Sequence, residues 1–347
     1  MANKLEHMNR NWRDGINFMS KLTPRRFFNI VQLVGSYYLS KVSGKPIHYG
    51  MPTSISLEPT TSCNLRCPEC PSGLRNFTRP TGMLTQETYQ KVIDELAPSL
   101  SYLIFYFQGE HYLNPKFLEQ VKYASQKRIY TATSTNAHYL DDKQAKATIE
   151  SGLDRLIISI DGTSQETYEQ YRIGGKLEKV IEGTRNVIKW KKELKSTTPH
   201  VIFQYLVVKP NEHQLEEVKT LAKDLGVDEV AFKTAQIYDY ENGSELIPTI
   251  EQYSRYKQLP NGKWKIKNKL INHCWKMWHS CVITWDGKVV PCCFDKDAHY
   301  QLGAMEDQSF KTVWRGEAYQ KFRASLIKSR SEIEMCKNCS EGTKVWA

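Results

Sequence analysis

Three cysteines follow a short apolar run and have the spacing of ligands to one metal centre. Cys63, Cys67 and Cys70 form a C-x3-C-x2-C motif. Thiolates are natural ligands of iron–sulfur clusters, and a cubane held by only three of them leaves one iron with an open coordination position. Structural metal sites usually close the ligand shell. The motif therefore indicates a cluster at which a substrate or cofactor could bind.

A second group of cysteines occupies the C-terminal part of the chain. It comprises Cys274, Cys281, Cys292, Cys293, Cys336 and Cys339. Asp286-Gly287 between two β-rich runs predicts a hairpin, which would bring Cys274 or Cys281 close to Cys292 or Cys293. Neighbouring strand residues point to opposite faces, so Cys292 and Cys293 should not both reach one centre. Four thiols could hold a second iron–sulfur cluster or a structural zinc ion, and iron content would distinguish the two.

Length and composition describe an ordinary globular protein. The 347 residues and 40.3 kDa suffice for one large α/β domain and a smaller appendage. A mean hydropathy of −0.55 argues against an integral membrane protein. No segment has the pattern of an export signal, so we expect a cytoplasmic protein whose nine cysteines are metal ligands rather than disulfides. The net charge is +10, and residues 1–50 carry eight basic against two acidic residues.

Strand-like runs alternate with helical patterns from about residue 52 to residue 234. Predicted strands are Ser54 to Glu58, Leu103 to Phe107, Tyr130 to Ser134, Arg155 to Ile160, Val201 to Val208 and Glu229 to Thr234. Predicted helices are Thr85 to Leu96, Pro115 to Gln126, Asp142 to Ser151, Leu177 to Leu194 and Leu215 to Leu225. Repeated βα units imply a parallel sheet with its chemistry at the C-terminal strand ends, where Cys63 falls.

These elements divide the chain into four parts. Residues 1–51 form a basic N-terminal helical segment, and residues 52–240 form the core domain. Residues 241–272 are a lysine-rich connector, and residues 273–347 hold the second cysteine group. The predicted fold class is α/β, a partial (β/α)6 TIM-like barrel with a small C-terminal cysteine-rich domain.

The order of motifs along the core resembles the radical S-adenosylmethionine (SAM) enzymes. Gln108-Gly-Glu-His111 resembles that family's Gly-Gly-Glu-Pro segment, Ser134-Thr-Asn136 its Thr-Asn-Gly turn, and Ser159-Ile-Asp-Gly162 its Ser-hydrophobic-Asp-Gly segment. The resemblance implies that Cys63, Cys67 and Cys70 hold a 4Fe–4S cluster that binds SAM. It further implies that the SAM amino group is bound by Gly109 and Glu110. Ser134, Asn136 and Ser159 would line the cavity around the ribose and carboxylate, and Arg172 would pair with the carboxylate.

The tail resembles the SPASM or shortened twitch extension of these enzymes, which holds auxiliary 4Fe–4S clusters. By this resemblance one auxiliary cluster is assigned to Cys274, Cys292, Cys336 and Cys339. Cys281 and Cys293 are left over.

The implied reaction is reductive cleavage of SAM to a 5′-deoxyadenosyl radical that abstracts hydrogen from a substrate. An auxiliary cluster with four protein ligands favours an oxidative, dehydrogenase-type reaction on a small molecule, lipid or sugar. The alternatives are a maturase that modifies a peptide or protein side chain, and a non-catalytic electron-transfer protein. An electron donor such as flavodoxin or ferredoxin is expected, and no nucleic acid. The sequence does not identify a general acid or base.

The N-terminal segment predicts a helix from Pro24 to Lys41, with Thr23 as its N-cap. Phe27, Phe28, Val31, Val34 and Tyr38 form an apolar stripe flanked by basic residues. One interpretation is peripheral contact with an anionic membrane surface or an acidic partner. The other is a helix packed across the barrel, which we expect because most such stripes are core contacts.

Overall fold

The computed structural model describes residues 12–306, 308–342 and 345, and a single mixed sheet organises most of them. Six parallel strands follow the chain in order: β1 (Ser54–Leu57), β2 (Tyr102–Ile104), β3 (Tyr130–Thr135), β4 (Arg155–Ser159), β5 (His200–Val207) and β6 (Glu229–Thr234). All six predicted strands are confirmed, and the α/β class with a mostly parallel sheet is confirmed with them.

One helix precedes the first strand, and the others connect successive strands and cover the outer face of the sheet. They are α1 (Pro24–Ser43), α2 (Pro71–Leu74), α3 (Gln86–Leu96), α4 (Phe117–Gln126), α5 (Asp142–Glu150), α6 (Gln165–Tyr171), α7 (Leu177–Glu193) and α8 (Leu215–Leu225). The side chains of Thr85, Asp141 and Ser164 cap α3, α5 and α6 by accepting backbone N–H bonds. The α6 helix was not predicted, because its polar sequence lacks an apolar period.

The C-terminal part extends the same sheet instead of forming a separate layer. After the small antiparallel pair β7 (Tyr256–Gln258) and β8 (Trp264–Ile266) come α9 (Lys276–His279), β9 (Ser280–Ile283) and β10 (Lys288–Val290). The chain continues through β11 (Gly303–Ala304), α10 (Phe310–Arg315), α11 (Glu317–Ser329) and α12 (Glu334–Lys337). The predicted hairpin at Asp286-Gly287 is confirmed as β9–β10, and β9 pairs in parallel with β1. The second cysteine group is thereby fixed beside the first strand.

The main core lies between the sheet and helices α3 to α8. Strand residues such as Ile55, Leu57, Leu156 and Ile158 are buried there at 0% exposure. Because strand side chains alternate between faces, Ser159 points to the opposite, inner face of the sheet. The inner face and the C-terminal strand ends are therefore left for chemistry.

Helix α1 has the predicted cap, since Thr23 accepts the backbone N–H of Arg26. Its inward residues are mostly polar, and they contact the N-terminal ends of the strands and the C-terminal module. The apolar stripe does not pack across the barrel. Phe27, Phe28, Val31 and Tyr38 are exposed, and Val34 alone of the stripe packs partly against the C-terminal module. The helix does pack against the barrel, but the expectation that the stripe makes the core contacts was wrong, because hydrogen bonds of buried polar side chains hold much of the inner face of the helix. No helix in the described part of the chain is long and apolar enough to cross a membrane.

Candidate functional site

The first three cysteines lie on the loop that follows β1, at the C-terminal end of the parallel strands. Cys67 is buried, whereas Cys63 and Cys70 are half-buried. The loop is held down by a backbone bond from Arg66 N to Ile173 O of 3.0 Å. A Cβ on Gly73 would lie 2.6 Å from the backbone N of Cys67, so the turn into α2 requires glycine. The three thiols consequently face the barrel mouth from a fixed backbone.

Each of the three sulfurs has a polar neighbour. Leu65 N donates to Cys63 Sγ at 3.5 Å, Arg172 Nη1 lies 3.7 Å from Cys67 Sγ, and Cys70 Sγ lies 3.8 Å from Gln108 Oε1. Burial raises the pKa of Cys63 to about 12. Such a thiol is inert as a free nucleophile, and a bound metal is what would hold it as thiolate.

The Gly109-Glu110 segment closes over this loop. Gly109 has φ +77°, and a Cβ there would lie 2.2 Å from Thr60 O. Its N–H donates to Ser72 Oγ at 2.9 Å, and Glu110 N donates to Ser62 O at 2.7 Å. These contacts anchor the segment to the cysteine loop, and they require a residue without a side chain at Gly109.

The Glu110 carboxylate is buried and tied to the end of β3. Its oxygens accept bonds from Thr135 Oγ1 at 2.7 Å and from Asn136 N at 2.8 Å. Burial raises the pKa of Glu110 to about 7, and these hydrogen bonds oppose the shift only in part. The pKa of this carboxyl group therefore lies near neutral pH, and the group lies beside the residues predicted to contact SAM.

Asn136 links the β3 end to the cysteine loop. Its Nδ2 donates to Asn64 Oδ1 at 2.8 Å and lies 4.0 Å from Cys63 Sγ. Ser134 is half-buried one residue before the strand ends, and Ser159 is the last residue of β4. Successive strand ends thus place the predicted polar residues around one mouth.

Arg172 comes immediately after α6, and its side chain points to the cysteine loop. Its Nε donates to Asp161 Oδ2 at 2.5 Å while Nη1 faces Cys67. Asp161 is fully buried, and its other oxygen accepts Leu206 N at 2.7 Å. The ion pair aims the guanidinium, and the remaining N–H groups are available to a carboxylate. Sequence reasoning missed this anchoring role of Asp161, because the partner lies eleven residues away across a turn that the motif does not describe.

The second cysteine group converges on one small cavity beneath α11 and α12. Cys274, Cys292, Cys336 and Cys339 line it, together with Lys276, Met277, Phe294, Leu326, Arg330, Met335 and Glu341. These are the four cysteines assigned from the sequence. Cys281 is buried in the main core opposite Ile55, and Cys293 is exposed. The structure therefore selects Cys292 over Cys293 at this cavity.

Arg330 is buried at this second site and was not predicted from the sequence. Its Nη2 donates to Cys339 Sγ at 3.2 Å and to Glu341 O at 2.8 Å. Burial opposes its charge, yet the nearby thiols Cys274, Cys339 and Cys336 raise the pKa of Arg330 overall. A buried guanidinium among four sulfurs suits a site that carries negative charge.

The donor chemistry of both sites fits iron–sulfur clusters. In the described residues, no three His, Cys, Asp or Glu side chains converge as ligands of a single metal ion. A cubane binds each thiolate at a different iron atom, so its ligands need not meet at one point.

A cleft of about 660 Å³ lies between the two sites. It is lined by Pro71, which follows Cys70, and by Phe294 and Met335, which also line the second cavity. Lys296 lines it as well, and burial lowers the pKa of this lysine despite the opposing influence of Cys70 and Cys293. The volume is in the range of small-molecule sites.

Two buried titratable side chains, His111 and Tyr205, do not line this cleft. His111 is fully buried and contacts the ring of Phe117 at a centroid distance of 5.1 Å. Tyr205 belongs to the main core, where its hydroxyl donates to Asn211 O. The Tyr205 ring lies in the main core, whereas His111 Nε2 also lies 4.0 Å from Glu110 Oε1.

Comparison with known families yields two matches. The model of the radical SAM superfamily matches residues 57–222, and the model of an iron–sulfur cluster-binding domain termed SPASM matches residues 274–340. A tungsten-containing aldehyde ferredoxin oxidoreductase cofactor-modifying protein of Pyrococcus furiosus is 27% identical over 82% of this chain and 86% of its own length. A PqqA peptide cyclase of Bradyrhizobium diazoefficiens is 24% identical over 84% and 79% of the respective chains.

Solved structures share the fold. A structure of the protein anSMEcpe with bound AdoMet aligns with a TM-score of 0.61 at 18% identity, covering 84% of each chain. Streptococcus suis SuiB bound to S-adenosylmethionine aligns with a TM-score of 0.60 at 11% identity, covering 79% of this chain and 68% of that one.

Proposed function

The chain belongs to the radical SAM superfamily and ends in a SPASM-type iron–sulfur domain, and from this premise we propose that it catalyses an oxidation of a small molecule, lipid or sugar. Its cofactors are a 4Fe–4S cluster with SAM and an auxiliary iron–sulfur cluster. When bound, the first cluster and SAM supply a 5′-deoxyadenosyl radical that abstracts hydrogen.

We assign the residues by their positions. Cys63, Cys67 and Cys70 would hold the first cluster, because all three face the barrel mouth and no fourth cysteine of the described residues joins them. Arg172, oriented by Asp161, would bind the SAM carboxylate. Gly109 and Glu110 would bind its amino group, and Ser134, Asn136 and Ser159 would line the ribose side. The task of these residues is to orient SAM and keep water out.

The observation that carries the oxidative assignment is the closed second site. Four thiols and Arg330 surround a cavity separate from the cleft, with three of the thiols buried. An auxiliary cluster with four cysteine ligands has no open position for substrate, so the chemistry it supplies is electron transfer. Oxidative reactions need an acceptor for the electron left on the substrate.

The test is replacement of Cys336 by Ala in the reconstituted holoenzyme. We expect SAM cleavage to 5′-deoxyadenosine to continue while oxidised product is lost. Cys281→Ala is the matched control, since this buried cysteine lies outside the cavity and should leave both readouts unchanged. Normal product from Cys336→Ala, with only the first cluster present, would refute the oxidative assignment.

The cleft supports a substrate of modest size. Its volume of about 660 Å³ and its place between the two cysteine sites would bring a bound molecule near both. An electron donor such as flavodoxin or ferredoxin would complete the cycle.

Peptide modification is the second candidate. Its support is the relationship to a protein named PqqA peptide cyclase. A mass change in a co-expressed short peptide would favour this candidate. The third alternative, an electron-transfer protein without turnover, predicts no 5′-deoxyadenosine when the reduced protein meets SAM.

A further inference from the structure

The N-terminal part of the molecule exposes an unusual amount of apolar surface. In the described ranges, sixteen large hydrophobic side chains are exposed, and ten of them lie between residues 12 and 49. They are Trp12, Ile16, Met19, Phe27, Phe28, Val31, Tyr38, Leu39, Val42 and Tyr49. Exposed apolar side chains that share one surface mark an interaction site.

Helix α1 is amphipathic in the reverse sense. A surface helix normally buries its apolar face and exposes its polar one. Here Arg26, Asn29, Ser36 and Ser40 are among the buried residues, whereas Phe27 and Phe28 are 60% and 63% exposed. At 3.6 residues per turn, the side chains of Phe27, Phe28, Val31, Tyr38, Leu39 and Val42 share the outward face.

Specific hydrogen bonds fix this orientation. Arg26 Nη2 donates to Ala97 O and Lys127 O, each at 2.9 Å. Asn29 exchanges two bonds of 2.8 Å with the backbone of Met51. Turning the apolar face inward would break these bonds and deprive the carbonyls of Ala97 and Lys127 of their donor, so the exposed face is built into the fold.

Basic residues border the apolar face. Arg25 and Lys41 are exposed on opposite sides of it around the helix, and Lys45 follows the C-terminal end. Arg13 accompanies the stripe of Trp12, Ile16 and Met19 on the preceding helix, residues 12–20. Apolar side chains bordered by cations are the pattern of helices that lie in the headgroup region of anionic bilayers.

We propose that the outward face of α1, with the exposed stripe of residues 12–20, docks the enzyme on an anionic membrane surface. The charge of the border selects lipid headgroups of opposite sign, and the aromatic and aliphatic side chains enter the interface. Ala97 and Lys127 precede β2 and β3, so this face lies at the strand ends opposite the cysteine loop. Docking there leaves the mouth and the cleft open to the aqueous phase.

The test is flotation of the anaerobically reconstituted full chain with two kinds of vesicles. We expect the native chain to float with phosphatidylcholine–phosphatidylglycerol vesicles, and added salt to weaken binding. Neutral phosphatidylcholine should retain at least about tenfold less protein. The triple variant F27S/F28S/Y38S and, separately, R25E/K41E should each reduce binding at least about tenfold.

Met83→Ser is the matched control, because Met83 is exposed and its backbone pairs with Thr60, which follows the C-terminal end of β1 on the mouth side, so this variant should not alter flotation. Iron content and SAM cleavage should stay unchanged in all variants, since the substituted side chains point to solvent. A native chain that fails to float overturns the proposal. So does a dimer that F27S/F28S/Y38S converts to a monomer without any effect on flotation, because the face would then be a subunit interface.

Discussion

Cys63, Cys67 and Cys70 lie on a loop at the barrel mouth with two thiols half-buried, whereas three of the four cysteines that line the second cavity are buried. The first loop is shaped by close backbone approaches at Gly73 and Gly109. The second cavity is closed by α11 and α12 and contains the buried Arg330. If both sets of cysteines hold clusters as proposed, the incomplete, accessible set can receive a small molecule at its open iron, and the complete, largely buried set offers no open iron to a substrate.

Removing the three cysteines of the first site should have the largest effect. In C63A/C67A/C70A we expect SAM cleavage to be abolished. Iron should fall from about eight to about four atoms per chain, since the four cysteines of the second cavity stay intact. Anaerobic reconstitution with iron and sulfide analysis, and assay of 5′-deoxyadenosine, measure both. A variant that loses all its iron would show that the tail does not hold its own cluster, and would break the comparison.

A substitution at Gly109 tests how closely this residue packs against the backbone of Thr60 at the first site. A Cβ at this position would meet Thr60 O at 2.2 Å with φ at +77°, so Gly109→Ala should cost roughly 3 kcal/mol of unfolding free energy. Gly174 has φ +79°, and an added Cβ would meet no atom within 4 Å, so Gly174→Ala should cost only about 1 kcal/mol. Denaturant unfolding compares the two variants. Equal losses of unfolding free energy in the two variants would mean that the positive φ alone, and not the close approach to Thr60 O, requires glycine at position 109.

The SAM binding proposed for the first site should depend on the Arg172–Asp161 pair. Arg172→Lys keeps the charge but loses the planar fork, so SAM affinity should fall about 10- to 100-fold. Asp161→Asn should weaken binding in the same direction because the guanidinium loses its anchor. Arg185→Lys, on the exposed surface of α7, is the control. Equilibrium SAM binding to the reconstituted protein is the measurement, and unchanged affinity in Arg172→Lys would remove this residue from the site.

At the second cavity we expect Arg330 to set the midpoint potential of the auxiliary cluster, and not whether the cluster is bound. Arg330 places a positive charge against Cys339 Sγ, which stabilises the more negative, reduced state of a cluster. Arg330→Met should therefore lower the midpoint potential of the auxiliary cluster by about 60 mV, equivalent to one charge-assisted hydrogen bond. Lys328→Met, a surface charge two residues away, should leave it unchanged. Redox titration followed by electron paramagnetic resonance measures both, and an unmoved potential in Arg330→Met would assign the arginine a structural role only.

The sequence by itself determined the six parallel strands, the helices with clear apolar periods and the two cysteine groups, because these depend on local periodicity, caps and spacing. The hairpin at Asp286-Gly287 was likewise readable, since its turn chemistry is local. The boundary predicted between core domain and tail remains a prediction, and the structure adds that β9 joins β1 in one sheet.

Only the tertiary structure decided which neighbours meet. It placed Cys292 rather than Cys293 at the second cavity, paired Arg172 with Asp161 and brought Arg330 to Cys339. It also turned the apolar face of α1 outward. An amphipathic pattern states that two faces differ, but which face is buried depends on partners such as Ala97, Lys127 and Met51 that lie far away in the chain. Such long-range hydrogen bonds have no signature in the local sequence.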